Sequence, residues 1–185
     1  MSEDPFKNRQ ERLDVRVELA KPEDWQEVKR LRLESITGPS ASMFGLTSEK
    51  TRLEIEKDDA EWIKETASDT MFSVLAWKGS KTVGLGRVRL VSGDVWWLRN
   101  DYVVSSSERM GLHKKMIALR LREIIEGRKG VKAGVGIEKT NDVSLNNYKY
   151  FGFSITDEDD FGYSLELDLT QPKVINKINE VLNAE

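Results

Sequence analysis

Residues 141–153 read NDVSLNNYKYFGF and form the most informative stretch of the sequence. Asn141 is a good helix cap, because its side-chain oxygen can accept a hydrogen bond from a backbone N–H of the first turn. Ser144 and Tyr148 are four residues apart and lie on one helix face. Gly152 can take the positive φ that ends a helix and turns the chain into a strand. On its own the pattern also fits an amphipathic helix whose tyrosine simply packs against a sheet.

A second informative stretch lies upstream, where a strand ending at Val104 leads through a polar elbow, residues 105–111, into a basic helix. A strand that feeds a helix through a short loop leaves the first N–H groups of the helix unpaired, and these suit a phosphate or pyrophosphate. Residues 109–132 carry eight Lys/Arg against two Asp/Glu. The alternative is an ordinary helix start on a solvated basic face. The chain lacks the glycine-rich motifs of dinucleotide and nucleoside-triphosphate sites, which disfavours those ligands.

Together the two stretches resemble the GNAT superfamily of acyl-CoA-dependent N-acyltransferases in residue order and spacing. The family pattern V-x-P-x-x-[RQ]-G-x-G-[IVL]-[GA] aligns with residues 103–113. The later pattern, N-x-x-[AS]-x-x-x-Y-x-x-x-G-F, is matched at Asn141, Ser144, Tyr148, Gly152 and Phe153. Residues 15–33 look like the family's first strand and helix, and Arg32-Leu33-Glu34 through Phe44-Gly45 looks like the LRLE…FG segment of a bacterial subgroup. The resemblance covers about residues 15–169.

The resemblance implies an α/β fold of the α+β type. A mixed, mostly antiparallel central sheet of six to seven strands is expected, with helices on both faces. The sheet is expected to splay between the fourth strand, ending near Val103, and the fifth, at residues 131–137. Residues 13–170 would form a single acyltransferase domain, residues 1–12 a flexible N-terminus and residues 171–185 a C-terminal helical tail.

The resemblance also implies a function. Acetyl-CoA, or another acyl-CoA, would lie in the splay and give an acetyl or other short acyl group to a primary amine of a small molecule or protein by direct attack. Tyr148 is at the family's general-acid position, and a tyrosine with a pKa near 10 can protonate the departing CoA thiolate. The expected cofactor-binding residues are Tyr102, Val103 and Val104 for the pantetheine, Arg109, Met110, Gly111, Leu112, His113 and Lys114 for the pyrophosphate, and Asn141, Ser144 and Asn147 from the later motif. No metal is expected.

Two residues depart from the family pattern in the phosphate loop. Glu108 replaces the usual Arg or Gln and places a carboxylate near the expected phosphates. His113 replaces Gly or Ala at a crowded backbone position, and we assign it to cofactor contact alone. A register with Arg109 at the Arg/Gln position loses Gly111 from the glycine site. The departures support an alternative function, a catalytically degenerate GNAT-like domain that binds CoA or another ligand as a sensor or interaction module.

The acceptor side of the reaction has no motif. Three carboxylates on or near the central strands are candidate bases, namely Asp94, Asp101 and Glu138, and deprotonation through water is an equal alternative. Trp96 and Trp97 are adjacent on a strand and so face opposite sides, which places one in the core and leaves the other to line an acceptor pocket.

The remaining elements follow from hydrophobic periodicity. A strand over residues 13–19 and a helix from Pro22 to Gly38-Pro39 are predicted first, followed by a second helical stretch from Thr47 to about Lys64. From Met71 three segments rich in β-branched and aromatic residues are separated only by short turns, which predicts an antiparallel meander. Residues 173–182 predict a terminal helix.

Composition excludes several functional classes. With no cysteine and one histidine among 185 residues, disulfides, thiolate nucleophiles and zinc–thiolate sites are excluded. The net charge of -3 and the lack of an apolar run of 18 to 20 residues argue against a nucleic-acid or membrane surface. The expectation is a cytoplasmic protein whose partner is an amine acceptor, with a homodimer as one option and with neither nucleic acid nor membrane as a partner.

Overall fold

The computed structural model describes residues 15–39, 41 and 47–184. The predictions for residues 1–12 and for Phe44-Gly45 lie outside the described residues. Seven strands form one sheet: β1 (Val15–Leu19), β2 (Met71–Lys78), β3 (Lys81–Ser92), β4 (Val95–Val103), β5 (Lys132–Glu138), β6 (Ser154–Glu158) and β7 (Gly162–Asp168). Six α-helices accompany it: α1 (Trp25–Thr37), α2 (Ser48–Glu56), α3 (Asp59–Thr66), α4 (Leu112–Arg122), α5 (Asp142–Phe151) and α6 (Pro172–Asn183).

The sheet has the order β1-β2-β3-β4-β5-β7-β6, and every neighbouring pair is antiparallel except β4 and β5. The predicted mixed, mostly antiparallel sheet of six to seven strands is therefore confirmed. The meander predicted from Met71 is β2-β3-β4, because short turns connect consecutive strands that pair antiparallel.

Helices cover both faces of the sheet, as predicted. On one face, α4 and α6 pack on the strands through a core that includes Met116, Ile117 and Val174. On the other face, α1 and α3 bury Leu31 and Trp62 against the opposite side of β2 and β3. Each face thus has its own apolar core, and burial of these side chains supplies the main driving force for folding.

One helical prediction needs correction. The stretch from Thr47 to about Lys64 forms two helices, α2 and α3, because the backbone is extended at Lys57 and Asp58. The Asp58 carboxylate accepts a hydrogen bond from the N–H of Glu61 at 2.8 Å and so caps a new helix. None of the described helices is long and apolar enough to cross a membrane.

Candidate active site

The two central strands separate where the site lies. β4 and β5 pair only from Val95 to Leu98 with residues 132–135, although both strands continue beyond that point. The predicted splay between the fourth and fifth strands is therefore confirmed. Two adjoining cavities of about 910 Å³ and 400 Å³ lie at this opening, and both are lined by Asp101, Asn141 and Ser144.

The larger cavity is bordered by the loop before α4. Gly111 caps α4 in the left-handed conformation at φ 74°, and no side chain caps the helix. Arg109, which aligns with the first glycine of the family pattern, is also left-handed at φ 64°. A helix start without a side-chain cap leaves the N–H groups of residues 112–114 available to an anion. The loop has the geometry of an anion cradle even though an arginine replaces one glycine.

The charged side chains around the loop differ in their exposure and contacts. Glu108 and Arg109 are exposed. The Lys114 ammonium lies 4.2 Å from the centroid of the Tyr150 ring, and Lys115 donates to the carbonyl of Ala184 at 3.2 Å. Positive potential at the loop therefore comes from the backbone N–H groups and from Arg109 and Lys114, which both line the cavity.

The predicted pantetheine residues lie on the last part of β4, where no strand pairs on the β5 side. Val103 and Val104 pack against the core; the Val104 N–H donates to the Val83 carbonyl and its carbonyl accepts from Ser107, which leaves the backbone of Val103 for a ligand. The Tyr102 hydroxyl donates to Glu34 of α1 at 2.8 Å. Burial, followed by this hydrogen bond, raises the pKa of Tyr102 to about 12.

Helix α5 brings the later motif to the opening. The Asn141 side-chain oxygen accepts from the N–H of Ser144 at 3.0 Å, which is the predicted cap, and Gly152 ends the helix at φ 103°. Asn141, Ser144 and Asn147 all line the larger cavity. Met110 and Leu112 pack into the core beside the loop and fix the start of α4.

A β-bulge positions the carboxylate at the centre of the site. Between the pairs Leu85–Tyr102 and Arg87–Arg99, β4 has one residue more than β3, and Asn100 is left-handed at φ 56°. A bulge changes the direction of the side chains that follow it. Asp101 consequently points toward the α4 face of the sheet.

Arg120 of α4 reaches Asp101 from beneath the sheet. Its Nη1 lies 2.5 Å from Asp101 Oδ1, and the arginine is fully buried. The guanidinium passes over Gly86 of β3, where an added Cβ would come within 2.8 Å of Arg120 Cζ. Gly86 is therefore required as a glycine because any side chain would occupy the path of the arginine.

Tyr148 and His113 complete this centre. The buried Tyr148 hydroxyl donates to Asp101 Oδ2 and lies 3.4 Å from Arg120 Nη2. His113 Nε2 is 2.9 Å from the same carboxylate oxygen, and Asn147 Nδ2 donates to His113 Nδ1 at 2.9 Å. Because Nδ1 accepts a hydrogen bond in this arrangement, Nε2 carries the ring proton and donates a hydrogen bond to Asp101. We expected His113 at the phosphates, and its backbone N–H does lie in the loop, but its ring points to Asp101.

Burial and charge set the protonation states of this centre. Burial alone would raise the pKa of Asp101, but the Arg120 guanidinium and the His113 ring hold that pKa well below its usual value. Burial, followed by the Asp101 carboxylate, raises the pKa of the Tyr148 phenol well above 10, with Arg120 acting in the opposite direction. The ground state therefore has an ionised Asp101 and a neutral Tyr148.

Sequence reasoning missed Arg120 and gave Asp101 no special place among three carboxylates. A signal was present, since Arg120 interrupts the apolar run of residues 116–121, and a buried arginine requires a carboxylate partner. Of the other candidate bases, Asp94 is exposed in the β3–β4 turn, and Glu138 lines the smaller cavity.

The smaller cavity lies on the other side of the opening. Trp97 lines it and Trp96 is buried in the core. This agrees with the prediction that adjacent strand residues face opposite sides of the sheet. The Trp97 ring lies over Gly134 of β5, where an added Cβ would be 2.3 Å from the ring. The remaining wall comes from the end of β5 and from the β6–β7 hairpin.

Comparison with known proteins identifies the architecture. No protein-family model and no curated protein sequence matches the chain. Solved structures do match it, among them the YncA putative acetyltransferase of Salmonella typhimurium with acetyl-CoA, at a TM-score of 0.65 and 14% identity over 85% of this chain and 95% of that one. The PaiA N-acetyltransferase of Thermoplasma acidophilum in complex with coenzyme A matches at a TM-score of 0.58 and 16% identity, over 83% of this chain and 98% of that one.

This chain has the GNAT fold. A third match, a chimera of the Vibrio cholerae spermidine N-acetyltransferase SpeG, has a TM-score of 0.60 and 9% identity over 92% of this chain and 99% of that one. The GNAT fold is thus preserved here at very low sequence identity. In this GNAT fold, the β4–β5 opening is flanked by the α4 loop on one side and by Tyr148 on the other.

Proposed function

We propose that this protein is an N-acyltransferase that transfers an acetyl or other short acyl group from acyl-CoA to an amine. The observation that carries the proposal is the continuous path along the unpaired edge of β4. The path leads from the N–H groups at the start of α4, in the larger cavity, to Asp101, where the smaller cavity lined by Tyr148 begins. A long ligand with a phosphate at one end and a reacting group at the other matches such a path.

The residues present fit acyl-CoA. The cavity of about 910 Å³ lies within the range of sites for sizeable ligands. Residues 112–114 would hold the pyrophosphate through backbone N–H groups, which depend little on side-chain identity. The backbone of Val103, at the end of β4 where β5 no longer pairs, would bind the pantetheine in the manner of an added strand.

The reaction needs one proton acceptor and one proton donor. The amine nitrogen attacks the thioester carbonyl, the C–N bond forms, the C–S bond breaks, and CoA leaves as a thiolate. Tyr148 is the donor in this proposal, since its hydroxyl stands at the opening and carries its proton across the neutral pH range. To donate, the hydroxyl turns from Asp101 toward the sulfur, and Arg120 then lies beside the phenolate oxygen. Water accepts the proton that the acceptor ammonium loses before attack, and the second proton, which the nitrogen loses as the amide forms, returns to the Tyr148 phenolate.

The acceptor class has support from the range of matches to this fold. The matching structures include a spermidine N-acetyltransferase and an Escherichia coli ribosomal-protein-S18-alanine N-acetyltransferase, so the fold serves amines of both small molecules and proteins. A small-molecule or protein amine is accordingly the acceptor class that we propose.

Calorimetry and a thiol-release assay test the proposal. Acetyl-CoA should bind at millimolar concentration or below, and Ellman's reagent should report CoA released in the presence of an amine panel. The assay has a low background because the chain contains no cysteine. Tyr148→Phe should lower kcat by about 100-fold or more with little change in acetyl-CoA affinity. Tyr150→Phe, on the same helix, is the matched control. Absence of binding to any acyl-CoA would overturn the proposal, and an unchanged rate in Tyr148→Phe would remove this residue from the acid role.

A second candidate function is a domain that binds CoA or another ligand as a sensor or interaction module without acyl transfer. The observation in its favour is that the Tyr148 hydroxyl is already engaged in a hydrogen bond to Asp101, while Glu108 puts a negative charge beside the anion loop. Tight CoA binding with no transfer to any member of a broad amine panel would favour this second function.

A further inference from the structure

A group of arginines lies on the α1–α3 face of β3 and β4, opposite to Arg120. Arg87 and Arg99 are direct cross-strand partners, and Arg89 pairs in the same way with Trp97. Direct partners in an antiparallel pair point to the same face. Arg32 of α1 belongs to the same group, since the charges of Arg87 and Arg99 act on it.

Negative charge in this region does not balance the positive charge. Glu54 lies 3.3 Å from Arg32, and Glu65 lies 2.7 Å from Arg87. Lys57 contacts both carboxylates as well, at 3.4 Å and 2.8 Å. Within the described part of the chain, neither Arg89 nor Arg99 has a carboxylate at ion-pair distance. Among the described residues, Glu54 and Glu65 thus contact Arg32, Arg87 and Lys57, whereas the exposed Arg89 and Arg99 have no carboxylate at that distance.

This arrangement costs folding free energy. Like charges directly opposite each other on neighbouring strands repel, and Arg32 and Arg87 are only 2% and 4% exposed. Burial lowers the pKa of Arg99, and the charges of Arg87 and Arg89 lower it further. An unfavourable charge arrangement of this kind at a cavity is often retained for binding.

The position of Arg99 connects the group to the proposed reaction. Arg99 lines the smaller cavity, two residues before Asp101. The opposite wall of that cavity is acidic, with Glu138 from β5 and Asp157, Glu158 and Asp159 from the β6–β7 hairpin. Lys139 neutralises one of these, since it lies 2.7 Å from Glu158. The β4 wall of the cavity thus carries Arg99 beside Asp101, whose charge Arg120 neutralises, and the β5–β6 wall is acidic.

We propose that the amine acceptor also carries a carboxylate, as an amino acid or the C-terminal residue of a short peptide does, and that Arg99 binds this carboxylate. The planar guanidinium offers two parallel N–H donors that match a carboxylate. The acidic wall suits the ammonium of the same molecule and disfavours a polyanion such as a phosphorylated amine. The inference rests on the proposed function and deepens it by naming the acceptor class.

The test compares matched acceptors and matched variants. Amino acids and dipeptides are assayed beside their C-terminal amides with acetyl-CoA and Ellman's reagent, using the wild-type chain, Arg99→Gln, Arg99→Lys and the control Arg52→Gln. Arg52 is exposed and pairs with Glu56 within α2. The value of kcat/KM should be about 10- to 100-fold higher for the free acid than for its amide, because the acid has the lower KM. Arg99→Gln should abolish the preference, Arg99→Lys should retain part of it, and Arg52→Gln should leave it unchanged.

A binding measurement separates this inference from the proposed function. Calorimetry with the same acids and amides, in the presence of CoA, needs no turnover. Stronger binding of the acids, lost in Arg99→Gln, supports the carboxylate site even if no acyl group is transferred. Equal binding and equal turnover of acids and amides overturns the inference while leaving the N-acyltransferase in place. Circular dichroism of Arg99→Gln establishes that the variant is folded, and its melting temperature should not fall, since one repulsive charge is removed.

Discussion

Arg120 Nη1 lies 2.5 Å from Asp101 Oδ1, and this pair joins α4 to β4 directly beneath the β4–β5 opening. The arginine has no exposed surface, and the carboxylate also accepts from Tyr148. A buried pair contributes little net stability when formed, but loss of one partner leaves an uncompensated buried charge. The pair therefore fixes the geometry of the site more than it stabilises the fold.

Asp101→Asn should destabilise the protein by about 3–5 kcal/mol, because the Arg120 guanidinium loses its counter-charge inside the core. Urea denaturation gives the free energy of unfolding. The double variant Asp101→Asn/Arg120→Met removes both charges and should recover a large part of that loss. A double variant as unstable as the sum of the two single variants would contradict the ion-pair interpretation.

The stability contributed by Asp101 should depend on pH. Its pKa is lowered in the folded state, so the native protein holds an ionised carboxylate at pH values where the unfolded chain is protonated. The contribution is present above the unfolded-state pKa of about 3.9 and is lost as the pH falls toward the native value. The difference in unfolding free energy between wild type and Asp101→Asn should therefore narrow from about pH 5 to pH 3. A difference that stays constant over this range would count against the lowered pKa.

Gly86→Ala should destabilise the protein by about 1–3 kcal/mol, because the new Cβ would press on a guanidinium that is buried and ion-paired. Thermal unfolding measures the effect. Gly136→Ala is the control, since an added Cβ at that position has no neighbour within 4 Å. If Tyr148 depends on Arg120, Gly86→Ala should also lower the rate of acyl transfer. Equal melting temperatures for the two variants would show that the arginine moves aside at little cost.

Arg109→Gly should be more stable than Arg109→Ala by about 1 kcal/mol, since a residue with a Cβ pays for the left-handed conformation at φ 64°. Both variants remove the charge, so the difference between their melting temperatures measures the cost of the left-handed backbone conformation. Acetyl-CoA affinity should fall by a similar small factor in both variants. A larger loss of affinity in Arg109→Ala than in Arg109→Gly would instead show that backbone conformation decides binding.

Much of the fold could be predicted because it depends on short-range patterns. The β-branched and aromatic residues of 71–104, divided only by short turns, predicted β2-β3-β4, and Asn141 and Gly152 bounded α5 correctly through a cap and a positive φ. The break between α2 and α3 was missed because charged residues surround it on both sides and give no apolar period. Asp58 was the available signal, as a capping residue within a charged stretch.

The centre of the site could be predicted only in part. Tyr148 follows from spacing within one motif, whereas the contacts of Asp101 with Arg120 and His113 join residues from β4 and α4 that no local pattern relates. The bulge at Asn100 decides the direction of Asp101, and a single extra residue in a strand leaves no clear mark on a period-two pattern. Contacts between distant elements and the register of β4 therefore could not be predicted from the sequence.

Trp97 gives the molecule an optical reporter of its own. It is one of five tryptophans, and it lies at the wall of the smaller cavity, whereas Trp62 and Trp96 are buried in the two cores. Indole emission shifts in wavelength and intensity when water leaves the ring or a charge approaches it, so a molecule entering that cavity would change the emission of Trp97. The difference between the emission of the wild-type protein and that of Trp97→Phe gives the contribution of Trp97. Occupancy of the cavity thereby becomes visible in fluorescence, with no label and no turnover.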